Sequence, residues 1–247
     1  MSASLPQAAQ AFDEVAGPHE RARPGYPSAA LDHLVDVVGL DGTGTVVDVA
    51  AGTGKLTRDL VAHARHVVAV EPLPAMRAVL RREVPAARVI AGVAEALPLR
   101  SGSARALTVA AALHWFDPAL ALPEIHRVLA AGAAVAVLRN RRDETTALQR
   151  ALGEPLAPLR AEPPNDHGLD VAGTLTQSGL SDRLNAAPTR NHQWLDEASF
   201  AARVASIGFV AMQPPDVRGS VGERAASSSR STLVRTEASR SATWRRW

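Results

Sequence analysis

The sequence predicts an α/β domain in which a doubly wound, mostly parallel sheet carries helices on both faces. Apolar runs of strand length alternate with segments of about ten residues that repeat apolar positions at helical spacing. The first clear run, "TVVDVA", passes directly into the small-residue turn "AGTG" and then into a helical segment. With 247 residues and 46% hydrophobic content, the chain can form one such domain with a small appendage.

The elements follow one another in a regular order. Residues 29–39 repeat apolar positions at helical spacing and end at a glycine, which is a common stop signal. Later β-branched runs predict strands, and the amphipathic segments between them predict crossover helices. The predicted strands are 46–49, 66–72, 87–92, 105–113 and 133–139, and the predicted helices are 55–64, 74–83, 118–129 and 196–207.

The chain divides into three parts by composition. We predict an N-terminal lid and helix over residues 1–44, a ligand-binding domain over 45–215, and an atypical tail over 216–247. Residues 140–180 are polar and irregular, and residues 183–195 have the composition of a further strand. The tail carries seven Arg and seven Ser with no clear period. Its composition indicates either a disordered segment or a frameshifted C-terminus.

The composition excludes several classes of function. Cysteine is absent, so disulfides, cysteine-based metal sites and thiol catalysis are excluded. No apolar run reaches the roughly 20 residues of a membrane span, and the first residues do not resemble a secretory signal. We therefore expect a cytoplasmic protein without a membrane partner. The single lysine among 27 basic residues indicates a GC-rich genome, and we expect a bacterial one.

The charge distribution argues against a nucleic-acid substrate. The net charge is +2 for the whole chain and +4 for residues 216–247, so the first 215 residues carry −2. A domain without a basic face has no electrostatic footprint for DNA or RNA. The histidines do not cluster at metal-ligand spacing, so we predict no metal and place His19 and most others at the surface or on helices.

The glycine turn fits neither common phosphate-binding pattern. A P-loop requires a glycine at the position of Val49 and Ser or Thr at the position of Leu56. A dinucleotide fingerprint requires a third glycine where Thr57 stands. The missing third glycine weakens the hypothesis of a nicotinamide-dependent oxidoreductase but does not exclude it.

The spacing of small residues suits S-adenosylmethionine instead. An acid at the end of the first strand, Asp48, is followed at alternate positions by Ala50, Gly52 and Gly54. Small residues let the backbone lie close beneath a bulky ligand that has no phosphate. A carboxylate near its ammonium and sulfonium charges is favourable in partly dehydrated surroundings.

An acid at the end of the second strand supports a nucleoside site. Glu71 ends "VVAVE", 23 positions after Asp48. Acids at this place in doubly wound sheets accept hydrogen bonds from the ribose hydroxyls of a bound nucleoside. The turn upstream makes a functional role for Glu71 more reasonable than that of a solvated strand-end residue.

Four segments together resemble a known family. In order and spacing, "VVDVAAGTGKLTRDL", "VVAVEPLPAMRAVL", "VIAGVAEALPLRSGSARALTVAAALHWFD" and "EIHRVLAAGAAVAVLRN" resemble class I S-adenosylmethionine-dependent methyltransferases. The small-molecule group called methyltransferase type 11 is the most similar, and "RARPGYP" resembles its N-terminal segment. The resemblance covers residues 10–140 well and 180–210 loosely. It implies a Rossmann-like fold with S-adenosyl-L-methionine as cofactor.

The resemblance also implies roles for individual residues. Asp48, Ala50, Gly52 and Gly54 would line the methionine half of the cofactor, and Glu71 would hold the ribose. Ala50 stands where the family usually has glycine, which is tolerated unless the backbone needs a positive φ. The remaining implied cofactor contacts are Arg23 on the carboxylate, Pro72 and Met76 on one adenine face, Ala94 and Glu95 in the loop after the third strand, and Trp115.

His114 is the candidate for a chemical role. It follows the fourth strand, at the sheet edge where doubly wound folds place active sites. His114 could remove a proton from the substrate group that receives the methyl, or it could only shape the floor of the cofactor site. Trp115 could offer its face to the sulfonium, and Tyr26 could cap the site.

The most favoured function is methyl transfer to a small-molecule acceptor by SN2 displacement, that is, a methyltransferase of class EC 2.1.1. The absence of Cys excludes covalent attack on a pyrimidine, and a single Lys excludes a tetrad with two lysines. The acceptor atom and the oligomeric state stay open. The alternative is an S-adenosylmethionine-binding module without catalysis, or with impaired catalysis, and a further alternative is an NAD-dependent oxidoreductase.

Overall fold

The structure is a computed structural model that describes residues 12–13, 16–142, 156–159, 185–227 and 233–245. Most of the irregular region 140–180 lies outside the described residues. The strands are β1 Gly42–Val49, β2 Ala64–Val70, β3 Arg88–Ile90, β4 Ala104–Ala110, β5 Leu129–Leu138, β6 Arg141–Arg142, β7 Asn185–Trp194 and β8 Leu233–Arg245. The helices are α1 Ala16–Ala22, α2 Ser28–Val38, α3 Lys55–Leu60, α4 Pro74–Glu83, α5 Pro118–Val128, α6 Glu197–Ala205, α7 Gly208–Ala211 and α8 Pro215–Ser227, with short 3-10 helices at Leu113–Trp115 and Ala157–Leu159.

The sheet has five parallel strands at its centre, in the order β3-β2-β1-β4-β5. Strand β8 pairs with β5 antiparallel, and β6 and β7 pair with β8. The chain first winds from β1 toward β3 and then returns to the other side of β1 at β4. This reversal leaves a crevice outside the carboxyl ends of β1 and β4, where ligands bind in such sheets.

Strand β1 shows why helices lie on both faces. Its last four residues are all buried, and successive side chains alternate between the two faces. Val47 and Val49 pack in one cluster with α5, whereas Val46 packs in the other with α2 and α3. Asp48 therefore points to the same face as Val46, the face that α3 covers. The predicted α/β fold class, doubly wound with helices on both faces, is confirmed.

Element boundaries differ from the predictions where the backbone turns. Helix α4 begins and ends as predicted, but α3 ends at Leu60, four residues early. Strand β4 ends at Ala110 because Ala111 takes a positive φ of 53° and a 3-10 helix follows. Strand β5 begins at Leu129, which pairs with Ala104 ahead of an irregularity in the ladder.

The C-terminal part has a small core of its own. Helices α6, α7 and α8 enclose Phe200, Phe209, Val210 and Val221 together with Leu156. Within residues 216–247, the structure describes the greater part of α8 and strand β8. The division of the chain into lid, domain and tail stays a prediction.

Candidate functional site

The candidate site is the crevice at the carboxyl ends of β1, β2 and β4. The turn at residues 50–54 leads from β1 into α3, and its backbone continues the ladder, because the Ala51 N–H donates to the Val70 carbonyl at 3.2 Å. Glu71 follows β2 directly, and its N–H donates to the Ile90 carbonyl at 3.1 Å. The predicted turn and the predicted acid are therefore neighbours in space.

Glu71 is locked against the turn. Its Oε2 accepts from the Gly52 N–H at 2.8 Å, and its Oε1 accepts from the Leu73 N–H at 2.9 Å. Only 4% of the residue is exposed. Burial raises the pKa of this carboxyl, against the two backbone N–H groups and Arg77, which lower it. Each oxygen has further lone pairs, so the carboxylate can still accept from a ligand's hydroxyls.

Asp48 is held by hydroxyls on both sides. Its Oδ2 accepts from Thr57 in α3 at 2.6 Å, and its Oδ1 accepts from Thr108 in β4 at 2.8 Å. The residue is fully buried. Burial raises its pKa to about 6, although both hydroxyls oppose the shift. Asp48 therefore joins three elements beneath the turn, a role that the sequence pattern does not reveal.

The turn contains strain at Ala50. This residue takes φ 53°, in the left-handed region where a Cβ costs about 1 kcal/mol. The expectation that alanine is tolerated here depended on φ being negative, and φ is positive. Ala111, which follows the neighbouring strand β4, has the same φ of 53°. Both strand ends that border the crevice are thus bent sharply.

The two glycines of the turn serve different purposes. Both have positive φ, 59° at Gly52 and 90° at Gly54. A Cβ at Gly52 would meet nothing within 4 Å, so its open side leaves room for a ligand. A Cβ at Gly54 would lie 3.0 Å from Leu80 and 3.1 Å from Val84. Gly54 is therefore required for close packing of the turn against α4.

Met76 faces the lid helix. It is buried in a small cluster with Ala16 of α1 and Val79, against which Phe12 packs. Pro72 is partly exposed, and its carbonyl accepts from Arg77 at 2.5 Å. These contacts place Met76 between α4 and the lid, and the proposed adenine contact of both residues stays a prediction.

The loop after β3 is fixed by helix α5. Ala94 is buried, and Glu95 accepts from the Asp117 N–H at 2.9 Å, just before that helix. Farther along the loop, Glu124 accepts from the Leu97 N–H at 3.0 Å. Arg127 donates to the carbonyls of Leu97 at 3.0 Å and Leu99 at 2.9 Å. Glu124 and Arg127, in the segment "EIHR" of α5, therefore fix the conformation of the loop. The sequence spacing did not predict this role.

His114 and Trp115 lie on the 3-10 helix after β4. Their ring centroids are 4.6 Å apart and the planes are tilted by 44°. Trp115 also meets the edge of Phe12 at 6.0 Å, and Phe12 meets His19 at 5.7 Å. A continuous row of rings therefore runs from the floor of the crevice to the lid helix. His19 lies in a helix as expected, but its Nδ1 is buried and not at the surface.

The "RARPGYP" segment is held by side-chain amides of strand β7. Asn191 of β7 donates to the Gly25 carbonyl at 2.9 Å and to the Asn140 side chain at 3.0 Å. Gln193 donates to the Ala22 carbonyl at 3.1 Å. Arg23 donates to the Ser206 carbonyl. These contacts close the lid segment over the sheet edge.

Tyr26 is partly buried under this segment. Its ring packs against the core cluster that contains Leu34 and Val46. Burial raises the pKa of its hydroxyl, and the charge of Asp48 raises it further. Tyr26 is therefore a neutral, packed residue that feels the charge of Asp48, and its capping role stays a prediction.

The residues present fit a nucleoside cofactor. The open side of Gly52 provides space, and the buried Glu71 provides acceptors fixed at the edge of that space. In the part of the chain that the structure describes, no group of three or more His, Cys, Asp or Glu could hold a metal ion. No helix among the described residues is long and apolar enough to cross a membrane.

Comparisons with known proteins agree with this geometry. Residues 47–137 match the family described as methyltransferase domain, type 11. An uncharacterized methyltransferase of Mycobacterium tuberculosis is 42% identical over 154 residues, which cover 62% of this chain and 62% of the relative. The match thus spans less than two thirds of that relative's length.

Solved structures share the fold. A protein named as a candidate type II methyltransferase from Anaeromyxobacter dehalogenans aligns with a TM-score of 0.68 and 24% identity, over 90% of this chain and 97% of that one. A geranyl diphosphate C-methyltransferase from Streptomyces coelicolor, solved with S-adenosyl-L-homocysteine, aligns with a TM-score of 0.50 and 13% identity, over 89% of this chain and 78% of that one.

Proposed function

We propose that the chain, whose residues 47–137 match the type 11 methyltransferase domain, transfers a methyl group from S-adenosylmethionine to a small-molecule acceptor by SN2 displacement. One observation carries the proposal most directly. Glu71 is buried, anchored to the Gly52 N–H at 2.8 Å, and still able to accept from two ribose hydroxyls.

Six of the residues predicted from the sequence would hold the cofactor, and the buried Asp48 would support them from beneath the turn. The turn at Ala50, Gly52 and Gly54 would lie beneath its methionine half, and Glu71 would accept from the ribose. The loop with Ala94 and Glu95 would border the adenine. When bound, S-adenosylmethionine supplies a methyl group on a sulfonium, which is reactive enough for direct displacement.

The chain contributes mainly alignment and exclusion of water. The turn, the 3-10 helix and the lid segment would enclose the bound cofactor, and fixed geometry can supply most of the acceleration of a displacement. Trp115 is placed at the end of β4 where its ring could border a sulfonium. His114, beside it, is the residue that could remove a proton from the acceptor.

A small acceptor agrees with the charge of the domain. The first 215 residues carry a net charge of −2, which does not favour a polyanionic substrate. A cytoplasmic location stays a prediction that rests on the cysteine-free composition.

Titration calorimetry with S-adenosylmethionine and S-adenosylhomocysteine tests the proposal. We expect one ligand per chain, with micromolar or tighter affinity, and release of S-adenosylhomocysteine in the presence of a methylatable metabolite fraction. Binding without such release would favour the non-catalytic module. Failure of the folded protein to bind either compound, with quenching of tryptophan fluorescence by NADH, would favour the oxidoreductase instead.

A further inference from the structure

Three segments from distant parts of the chain meet at the ring of Trp115. This ring lies on the 3-10 helix that borders the crevice, and Phe12 of the N-terminal segment meets it edge-on at a centroid distance of 6.0 Å. Helix α7 contributes Gly208, where a Cβ would lie 3.7 Å from Phe12 Cζ and 3.8 Å from Trp115 Cζ2. We call the group of Phe12, Trp115 and Gly208 the aromatic corner.

Two walls of the aromatic corner are anchored. Next to Phe12, Asp13 accepts from the Ala75 N–H at 2.7 Å, which ties the N-terminal segment to the start of α4. Next to Gly208, Phe209 is buried in the C-terminal core. Walls that are already fixed lose little freedom when a ligand binds, and this preorganisation favours affinity.

The aromatic corner offers ring contacts to a ligand. Phe12, Trp115 and Gly208 are each partly exposed, so they keep apolar surface that a bound molecule could bury. The three atoms nearest to a Cβ at Gly208 are all ring carbons. The ring of His19, on the other side of Phe12, is neutral because burial lowers its pKa. These surroundings suit a neutral aromatic molecule better than an ion.

We propose that the aromatic corner binds the methyl acceptor, and that this acceptor carries a neutral, planar aromatic ring. Such a ring gains affinity from Phe12 and Trp115 beyond the burial of area, because aromatic pairs have favourable edge-to-face and offset-stacked geometries. The corner is continuous with the crevice through Trp115, so an acceptor there would lie beside the methyl group of the cofactor. The proposal rests on the proposed function, because it names the acceptor class of that reaction.

Gly208 would set the size of the ring that fits. It is the one wall of the aromatic corner without a side chain, and its open side faces both rings. A larger residue at this position would occupy the space between Phe12 and Trp115 that the acceptor needs. The site of the cofactor lies on the turn and at Glu71, in other elements, and would be unaffected.

Titration calorimetry with an aromatic molecule and its saturated counterpart tests the acceptor class. 2-Naphthol and decahydro-2-naphthol share a carbon skeleton and a hydroxyl, but only 2-naphthol is planar and aromatic. Each is titrated into the complex with S-adenosylhomocysteine. We expect 2-naphthol to bind about tenfold more tightly, because it gains two aromatic contacts. Equal affinities, or no binding of 2-naphthol, would overturn the aromatic acceptor.

Variants of the aromatic corner show where 2-naphthol binds. Gly208→Leu should abolish its binding and leave the affinity for S-adenosylhomocysteine unchanged. Phe12→Leu keeps apolar bulk without a ring, so it should remove most of the preference for 2-naphthol over the saturated compound. The matched control is Gly219→Leu, at an exposed position of α8 where a Cβ would meet nothing within 4 Å. If Gly208→Leu does not fold, Gly208→Ala should weaken 2-naphthol by a smaller factor, since its Cβ makes only ordinary contacts.

The outcomes separate this inference from the proposed function. If 2-naphthol binds equally well to wild type, Gly208→Leu and Phe12→Leu, it binds elsewhere and the aromatic corner is overturned. If the folded wild type binds S-adenosylhomocysteine but not 2-naphthol, only the aromatic corner is overturned. If it does not bind S-adenosylhomocysteine, the proposed function is overturned, and 2-naphthol titrated into the free protein still tests the corner as a site for aromatic rings.

Discussion

The floor of the crevice and its cover are built in different ways. In the floor, the turn at residues 50–54 is held by Asp48 and Glu71, over separations of 9 residues to Thr57 and 19 residues to Gly52. In the cover, Asn191 reaches Gly25 across 166 residues, and Arg23 reaches Ser206 across 183. Most contacts that hold the turn thus lie within one βαβ unit, with Thr108 of β4 as the exception, whereas the "RARPGYP" part of the cover is fixed by residues from strand β7 onward.

The largest expected effect comes from breaking the floor at Glu71. Glu71→Ala removes the acceptor of two buried backbone N–H groups and of the proposed ribose hydroxyls. Hydrogen bonds to a charged group contribute about 1.5–3 kcal/mol each, so the affinity for S-adenosylhomocysteine should fall by roughly a thousandfold, or about 4 kcal/mol. Calorimetry measures the loss.

Two variants make the Glu71 experiment specific. Glu71→Gln keeps the shape and should retain part of the affinity, because its amide still has one acceptor oxygen. Glu83→Ala removes a carboxylate that pairs with Arg82 and Arg58 at the far end of α4 and should bind as wild type does. An unchanged affinity in Glu71→Ala would mean that the nucleoside lies elsewhere.

Asp48 gives the floor a dependence on pH. Its pKa is raised to about 6 in the folded chain, against about 3.9 in an unfolded one. The folded state therefore binds the proton more tightly between these values, and its stability falls as the pH rises from 4 to 6. Asp48→Asn cannot ionise, so its stability relative to wild type should increase by about 3 kcal/mol over that window.

Urea unfolding at pH 4 and pH 7 measures this difference. Comparing the variant with wild type at each pH removes the contributions of other titrating groups, including His19, whose lowered pKa acts in the opposite direction. If the difference in unfolding free energy between Asp48→Asn and wild type is the same at both pH values, the pKa of Asp48 is not raised by folding.

Asn191 allows the cover to be weakened alone. Asn191→Ala removes donors to the Gly25 carbonyl and to Asn140, which should cost about 1–2 kcal/mol locally. Amide hydrogen exchange should accelerate in residues 22–26 and remain unchanged in β1 and the turn. The exposed neighbour His192 provides the control as His192→Ala. Equal acceleration in the turn would show that floor and cover are one cooperative unit.

The smallest effect concerns the strain at Ala50. Ala50→Gly relieves the left-handed Cβ but makes the unfolded chain more flexible, so we expect a net gain of about 0.5 kcal/mol. Ala78→Gly, at an exposed position in α4, should instead cost about 1 kcal/mol. Thermal unfolding distinguishes the two. A loss at position 50 similar to that at position 78 would contradict a positive φ at Ala50.

The same contrast explains what the sequence could predict. The strands, the turn and the position of Glu71 follow from hydrophobic periodicity and short spacings, which a single sequence displays. His19, Arg127 and Asn191 were not predicted, because their partners lie in other elements and nothing in their local sequence marks them. For Ala50, the sequence predicted strain only if φ were positive. It could not predict the sign of φ, because φ depends on how the turn meets α3 and α4.

A crystal structure with S-adenosylhomocysteine tests the central claim most directly. The account predicts ribose hydroxyls on Glu71, the adenine beside Ala94 and Glu95, and the sulfur on the side of the crevice that His114 and Trp115 border. A nucleoside bound away from Glu71 would contradict the account. So would a complex in which the Glu71 carboxylate accepts only from the Gly52 and Leu73 N–H groups and from no ribose hydroxyl.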